Sequence, residues 1–202
     1  MYIFPIFVIF AFLFSHKLKK STQYANQHRE DFLDAEQEAN FTRKKDIEHL
    51  DYITIPLEKL PFFEKVDKEI EKYQNVIKNL AGKRILNLTG ISNTELKKMY
   101  GAANLTALSE YDDNYSTMVS TLAKWGNRLM SLGYEQEAVT VLELGIKYKS
   151  DVTLNYTLLA GYYAKSNNAS GLEWLRATAG KLNSLTKQPI LNMLEEASRT
   201  HQ

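Results

Sequence analysis

The sequence predicts a mostly α-helical fold, with an N-terminal membrane anchor, a helical stalk and a helical domain that has at most a short two-stranded β element. Three observations support this prediction. The chain opens with an apolar run, its C-terminal half repeats a helix–turn–helix pattern, and only nine Gly and four Pro interrupt its 202 residues. Elsewhere apolar side chains recur every three or four residues, which is the spacing of a helix with one buried face.

The first 14 residues, MYIFPIFVIFAFLF, are almost entirely apolar, and Lys17, Lys19 and Lys20 follow them. A signal peptide has positive charge before its apolar run and small residues at its cleavage point, and neither is present. We therefore predict an uncleaved transmembrane anchor at 1–18. A signal peptide and an interfacial segment are the alternatives, because 14 helical residues reach only about 21 Å into a hydrocarbon core about 30 Å thick.

The lysines after the run also predict the orientation of the chain. Positive charge beside a membrane helix tends to stay in the cytoplasm, so we expect a single-pass protein of the cell membrane, with its N-terminus outside and its soluble domain cytoplasmic. The absence of Cys agrees, because the chain has no disulfide framework. Six Asn-x-Ser/Thr sequons favour the opposite side if they are glycosylated; they begin at Asn40, Asn87, Asn104, Asn114, Asn155 and Asn168.

Residues 19–50 form a charged juxtamembrane stalk, which we expect to be helical and solvated. The alternative role for its Arg43, Lys44 and Lys45 is contact with anionic lipid. The whole chain has a net charge of +1, which gives no reason to expect a nucleic-acid partner.

Residues 51–104 are predicted to hold an extended strap and helices. In the strap, DYITIPLEKLPF (51–62), β-branched residues and prolines favour extended backbone, and a short ribbon with residues 85–89 is the alternative to a strap without strands. A helix is predicted over residues 63–81. The sequence SNTE, starting at Ser92, predicts a capping box and a helix that ends at Gly101.

Residues 105–202 contain the repeated pattern. At an offset of 34 residues, Leu122, Trp125, Gly126 and Leu129 correspond to Tyr156, Leu159, Ala160 and Tyr163. A period of this length with two helices per unit is typical of repeat arrays. The pattern resembles the tetratricopeptide repeat over roughly residues 119–185, with small residues in the second helices at Ala138, Gly145 and Ala179. Leu172 departs from it, and 189–198 is predicted to be a closing helix.

The aromatic residues of this region, including Trp125 and Trp174, are interpreted as core residues. At the level of the whole chain, RKKDIEHLDYITIPLEKLPF and NLTGISNTELKKMYGAAN resemble a group of small single-pass membrane proteins from Gram-positive bacteria. This resemblance implies a bacterial cytoplasmic membrane and supplies no activity.

No pattern of residues predicts catalysis, so we expect no enzymatic activity, no cofactor and no metal. None of the four His has another His at the spacing of metal ligands. Glu110, Asp112 and Asp113 form an acidic cluster, which we interpret as capping the helix after it, with a cation site as the alternative. We predict a membrane-tethered interaction or scaffold module; an enzyme or lipid-handling domain with an unrecognised site is the alternative.

The resemblance to the tetratricopeptide repeat implies a groove along the first helix of each unit, where a protein or peptide partner binds. Residues placed there by the register are Asn127, Met130, Thr157, Gly161 and Lys165. Coverage of this face by the strap or by neighbouring helices is the alternative.

Overall fold

The structure is a computed structural model that describes residues 3–64 and 67–199, with side chains for residues 14, 16–64 and 67–198. The described part is mostly helical and contains no strand, so the mostly α fold class is confirmed. Its α-helices are α1 (Ile3–Asn40), α2 (Lys68–Leu80), α3 (Asn93–Tyr100), α4 (Leu105–Ser131), α5 (Glu135–Lys147), α6 (Thr153–Lys165), α7 (Ala169–Ala179) and α8 (Lys187–Arg199).

Helix α1 runs without a break from the predicted anchor into the predicted stalk. The first two residues of the predicted anchor, and the side chains of residues 3–13 and 15, lie outside the described part. Among the described residues, no helix combines the length and the apolarity needed to cross a membrane.

The chain divides into two compact units, and the first comprises Met1–Ile47 and Ser92–Leu105. Within it α3 packs against α1. The predicted capping box is confirmed, because the Ser92 hydroxyl accepts from the backbone N–H of Glu95 (3.2 Å) and the Glu95 carboxylate accepts from the N–H of Ser92 (2.8 Å). The helix ends at Gly101 as predicted, with φ 89°. A Cβ there would lie 2.5 Å from the Arg43 carbonyl oxygen, so glycine is required.

The second unit comprises Glu48–Ile91 and Thr106–Gln202 and contains two hydrophobic clusters. The first cluster joins the strap, α2, α4 and one face of α5, around a fully buried Trp125. In the strap Ile55 and Leu60 are buried, and Ile53 and Leu57 are partly buried against the same cluster. The strap therefore contacts the helices through these four residues.

The predicted ribbon does not form in the described residues. The strap and residues 85–89 are joined by one ladder-like bond, from the Ile53 N–H to the Ile85 carbonyl oxygen (2.9 Å). The strap then turns into a single 3-10 turn at Leu57–Lys59. A single hydrogen bond between the two segments does not make the repeating ladder of a β-sheet.

The second cluster joins α5, α6, α7 and α8. Helix α6 packs against α5, α7 and α8, and α8 also packs against α7. Ile190 and Leu194 of α8 are buried in this cluster, so a helix is present where the sequence predicts one at 189–198. Gly126 lies against α5, where a Cβ would lie 2.4 Å from Leu142 Cγ, so α4 and α5 approach each other closely at this glycine.

Two predictions about helix starts are wrong. Helix α2 begins at Lys68 rather than at Phe63, because the Asp67 carboxylate caps it by accepting from the N–H groups of Glu69 (2.9 Å) and Ile70 (3.1 Å). Val66, part of the predicted helix, lies outside the described residues.

The acidic cluster does not cap a helix, because all three of its residues lie inside α4. Asp112 instead accepts from the N–H of Leu88 (2.9 Å), and burial raises the pKa of its carboxyl group. Helix α4 starts earlier than the prediction required, directly after the 3-10 turn Ala102–Asn104.

Candidate functional site

The five residues of the predicted groove lie on α4 and α6. Thr157, Gly161 and Lys165 follow one another at intervals of four along one exposed face of α6, and Asn127 is exposed on α4. Met130 is half-buried and packs against both hydrophobic clusters. These placements are compatible with the register, and they leave the groove itself a prediction.

Lys165 is tied to the neighbouring helix. Its ammonium group lies 3.1 Å from the Glu135 carboxylate, in the first turn of α5. One hydroxyl of the same stripe is also engaged, because Thr157 Oγ1 donates to the Thr153 carbonyl oxygen (3.1 Å). A partner on this face therefore meets polar groups that already have partners, which lowers the gain from contacting them.

A better-formed concavity lies between the strap, α5 and the start of α7. We call it the strap groove; its volume is about 580 Å³. Its lining residues come from three parts of the second unit: Pro56, Lys59 and Leu60 from the strap, Thr140, Glu143, Leu144 and Lys147 from α5, and Tyr163, Asn168, Ser170, Gly171 and Trp174 from α6 and α7.

The floor of the strap groove is apolar and its edge carries a partly free indole. Leu60 and Leu144 are buried, whereas Trp174 is 37% exposed. The interpretation of Trp174 as a core residue is therefore wrong. Trp125, by contrast, is fully buried as predicted. An exposed indole beside a buried apolar floor is the kind of surface on which binding energy concentrates in protein interfaces.

The polar groups at the back of the groove are already paired. The Tyr163 hydroxyl donates a short hydrogen bond to the Glu143 carboxylate. Burial, and then this carboxylate, raise the pKa of the Tyr163 phenol, so the phenol remains a donor. Asn168 caps α7 by accepting from the N–H of Gly171 (2.9 Å) and from the hydroxyl of Ser170 (2.8 Å).

Two lysines at the groove remain available to a partner. Lys59 and Lys147 are exposed, and neither forms an ion pair with a described carboxylate. Glu143 is engaged by Tyr163. The groove thus combines an apolar floor with a positively charged edge.

Gly171 allows α7 to approach α6 closely at this site. A Cβ on Gly171 would lie 2.8 Å from the Tyr163 ring, so a larger residue would displace either the ring or the helix. The resemblance placed the small residue one position later, at Leu172. Helices α6 and α7 do approach closely, but at Gly171, the residue before the expected position.

Sequence reasoning missed the strap groove because its three parts are distant in the sequence. One local signal was present. In α7 the buried residues Leu175 and Ala179 and the partly buried Leu172 follow helical spacing, and Trp174 falls outside that stripe. A large aromatic residue off the buried stripe of a helix indicates a surface-exposed ring.

No group of His, Asp and Glu in the described residues is arranged to hold a metal ion. No protein-family model, curated protein or solved structure matches the chain.

Proposed function

We propose that this chain is a membrane-tethered helical interaction module, without catalytic activity of its own, which holds a short segment of a partner protein in the strap groove. The observation that carries the proposal is the exposed Trp174 beside a floor of buried leucines, at the edge of a cavity of about 580 Å³. A cavity of this size accepts a few side chains of an extended segment.

The chemistry of the groove indicates which segment it prefers. The floor around Leu60 and Leu144 favours a large apolar side chain, which gains about 25 cal/mol for each Å² of apolar surface that it buries. Lys59 and Lys147 at the edge favour carboxylates, through charge complementarity. The proposed partner segment therefore has an aromatic or large aliphatic residue flanked by Asp or Glu.

The membrane tether rests on the N-terminal sequence. The apolar run is followed within six residues by Lys17, Lys19 and Lys20, and α1 is helical from Ile3 onward. In the proposed arrangement the chain crosses the cell membrane once, with its N-terminus outside, and the binding module is cytoplasmic.

Photocrosslinking in living cells tests the proposal. Photoreactive p-benzoylphenylalanine replaces Trp174 in the strap groove, Thr157 on the exposed face of α6, or Lys72 on the exposed face of α2 as a control. We expect a discrete adduct from position 174 and none from position 72. An adduct from position 157 alone would favour the predicted groove on α4 and α6 instead.

The crosslinked segment must also have the proposed chemistry. Mass spectrometry of the adduct should identify a peptide with a large apolar residue next to acidic ones. Lys59→Glu should abolish the adduct, whereas Lys83→Glu, an equal charge change at an exposed site outside the groove, should preserve it. An adduct that survives Lys59→Glu, or that both changes abolish, contradicts the proposal.

A further inference from the structure

A second cavity, of about 620 Å³, shares only Lys147 with the strap groove. We call it the basic cleft. Its walls come from four segments, mostly outside the helices: residues 51–54 of the strap, residues 86–89, the end of α5 at 147–149, and the connection between α7 and α8 at 181–183. Binding residues are often found on loops held by a rigid scaffold, and the surrounding helices provide that scaffold here.

The charge of the cleft differs from that of the chain. Lys147, Lys149 and Lys181 line it, and Asp51 is the one acidic residue of its lining, which gives three positive charges against one negative, a net of +2. The whole chain carries only +1. None of the three lysines forms an ion pair with a described carboxylate. Like charges that line one concavity raise the local concentration of anions.

Lys149 has a backbone conformation that a lysine rarely adopts. Among the described residues, four helices end with a residue of positive φ: Gly101 after α3 (φ 89°), Gly133 after α4 (φ 84°), Lys149 after α5 (φ 60°) and Asn167 after α6 (φ 52°). At α5 the N–H of Lys149 bonds to the Ile146 carbonyl oxygen (2.9 Å), and the next N–H bonds to that of Gly145 (3.0 Å), which is a Schellman motif.

Glycine and asparagine are the usual residues at this position, because a Cβ is disfavoured there. The other three of these helix ends have glycine or asparagine, and among them a lysine occurs only at the end that lines the cleft. Backbone strain of this kind concentrates at functional sites. The side chain of Lys149 is therefore present at a conformational cost, and it lines the cleft.

Hydrogen bonds from neighbouring residues hold the turn that carries Lys149. The buried Tyr115 hydroxyl lies within hydrogen-bond distance of the carbonyl oxygens of Tyr148 (3.1 Å) and Lys149 (2.9 Å). The Tyr148 hydroxyl in turn donates to the Thr54 carbonyl oxygen in the strap (2.7 Å). These bonds fix the backbone at the cleft before any ligand arrives, which reduces the entropy lost on binding.

We propose that the basic cleft binds a phosphate-bearing anion, either a free phosphorylated small molecule or the headgroup of an anionic phospholipid. Lysine is an effective point-charge partner for phosphate, and Thr89 and Asn183 add neutral hydrogen-bonding groups to the lining. The cavity exceeds the size of one phosphate group and falls within the range of small-molecule sites, so the phosphate is part of a larger molecule. This inference does not depend on the strap groove.

Lysine acetylation mapped by mass spectrometry on the full chain, in uncharged detergent micelles, tests the inference. The probes are pyrophosphate, or micelles doped with phosphatidylglycerol, with phosphatidylcholine-doped micelles as the neutral control. At a probe concentration of about ten times Kd, acetylation of Lys149 and Lys181 should slow about tenfold, and that of the exposed Lys124 should not change. Protection by pyrophosphate identifies a free ligand as the source, and protection by phosphatidylglycerol alone identifies a lipid headgroup.

Variants separate the cleft from general charge effects. Lys149→Gln with Lys181→Gln leaves the shared Lys147 intact as the acetylation reporter. The double change should weaken probe binding, followed as protection of Lys147, about tenfold or more, because two charge-assisted hydrogen bonds are lost. Lys72→Gln with Lys124→Gln removes the same charge from exposed helix faces and should leave binding within about twofold. Equal weakening by both pairs, or no saturable protection by either probe, would overturn the inference.

Discussion

Gly126 and Gly161 differ in what a side chain would meet. A Cβ at Gly126 would lie 2.4 Å from Leu142 Cγ, whereas a Cβ at Gly161 would meet nothing within 4 Å. Gly126→Ala should therefore destabilise the protein by about 1–3 kcal/mol through overpacking. Gly161→Ala should stabilise it by about 0.5–1 kcal/mol, because Gly is unfavourable inside a helix. Urea unfolding followed by circular dichroism measures both, and changes of the same sign would contradict the packing of α4 on α5.

Asp67 gives a second prediction at the scale of single residues. Its carboxylate caps α2 and lies 2.7 Å from the Arg128 guanidinium. The Arg128 hydrogen bond, more than the backbone N–H groups, lowers the pKa of Asp67 from 3.8 to about 2. Because the folded-state pKa is below the unfolded one, this contribution to stability is present above about pH 4 and is lost as the pH falls towards 2.

Asp67→Asn keeps a capping side chain and removes the charge. The variant should lose less stability than the wild type when unfolding is compared at pH 5 and pH 2.5. Arg128→Gln removes the cation that pairs with Asp67, and it should likewise make the free energy of unfolding less dependent on pH. An unchanged pH dependence in both variants would show that the Asp67–Arg128 pair is not the source of the acid sensitivity.

At the scale of elements, the end of α5 provides a trade-off between stability and binding. Lys149→Gly relieves the left-handed backbone and should stabilise the protein by about 1 kcal/mol. Asn167→Gly, at the matching end of α6, should change stability much less, because Asn tolerates this conformation. Thermal unfolding tests both changes. A Lys149→Gly protein that is more stable and yet binds pyrophosphate less well would separate the role of the side chain from that of the fold.

Elements that depend on neighbouring residues were predictable from the sequence. The capping box at Ser92 and the stop at Gly101 need only a few adjacent residues, and both are where the sequence placed them. The predicted start of α2 is too early, because the helical spacing of apolar residues already begins at Phe63, before Asp67 caps the helix. The prediction for the acidic cluster is wrong because its polar residues indicate a helix start, whereas in the structure they lie inside the long helix α4.

The candidate sites were less predictable than the helices. The strap groove and the basic cleft both bring the strap to α5, across about ninety residues of sequence, as in the bond from Tyr148 to Thr54 with a separation of 94. No local pattern encodes that contact. The left-handed backbone at Lys149 likewise follows from its place at a helix end and not from the composition of its segment. The exposure of Trp174 has a local signal, because this residue lies off the buried stripe of α7.

At the scale of the whole molecule, the proposed topology has a direct test. The lysines after the apolar run predict that the helical module is cytoplasmic. Added protease should therefore leave the module intact in spheroplasts and should digest it only after permeabilisation. An established cytoplasmic protein provides the control for leakage. Digestion without permeabilisation would contradict the orientation.

The strap has a consequence for the order of folding and for local opening. Helices α5 to α8 follow one another in the chain and pack on the next helix or on the one after it, whereas strap contacts close loops of tens of residues and form more slowly because of the entropy of loop closure. Since the strap contributes a wall to both cavities, one undocking event would open both sites.

Hydrogen exchange of the Ile53 amide, which is bonded to Ile85, should report this motion. This amide should exchange faster than the core amides of α4. Exchange of Ile53 only through global unfolding would show that the strap and the helices open as one cooperative unit.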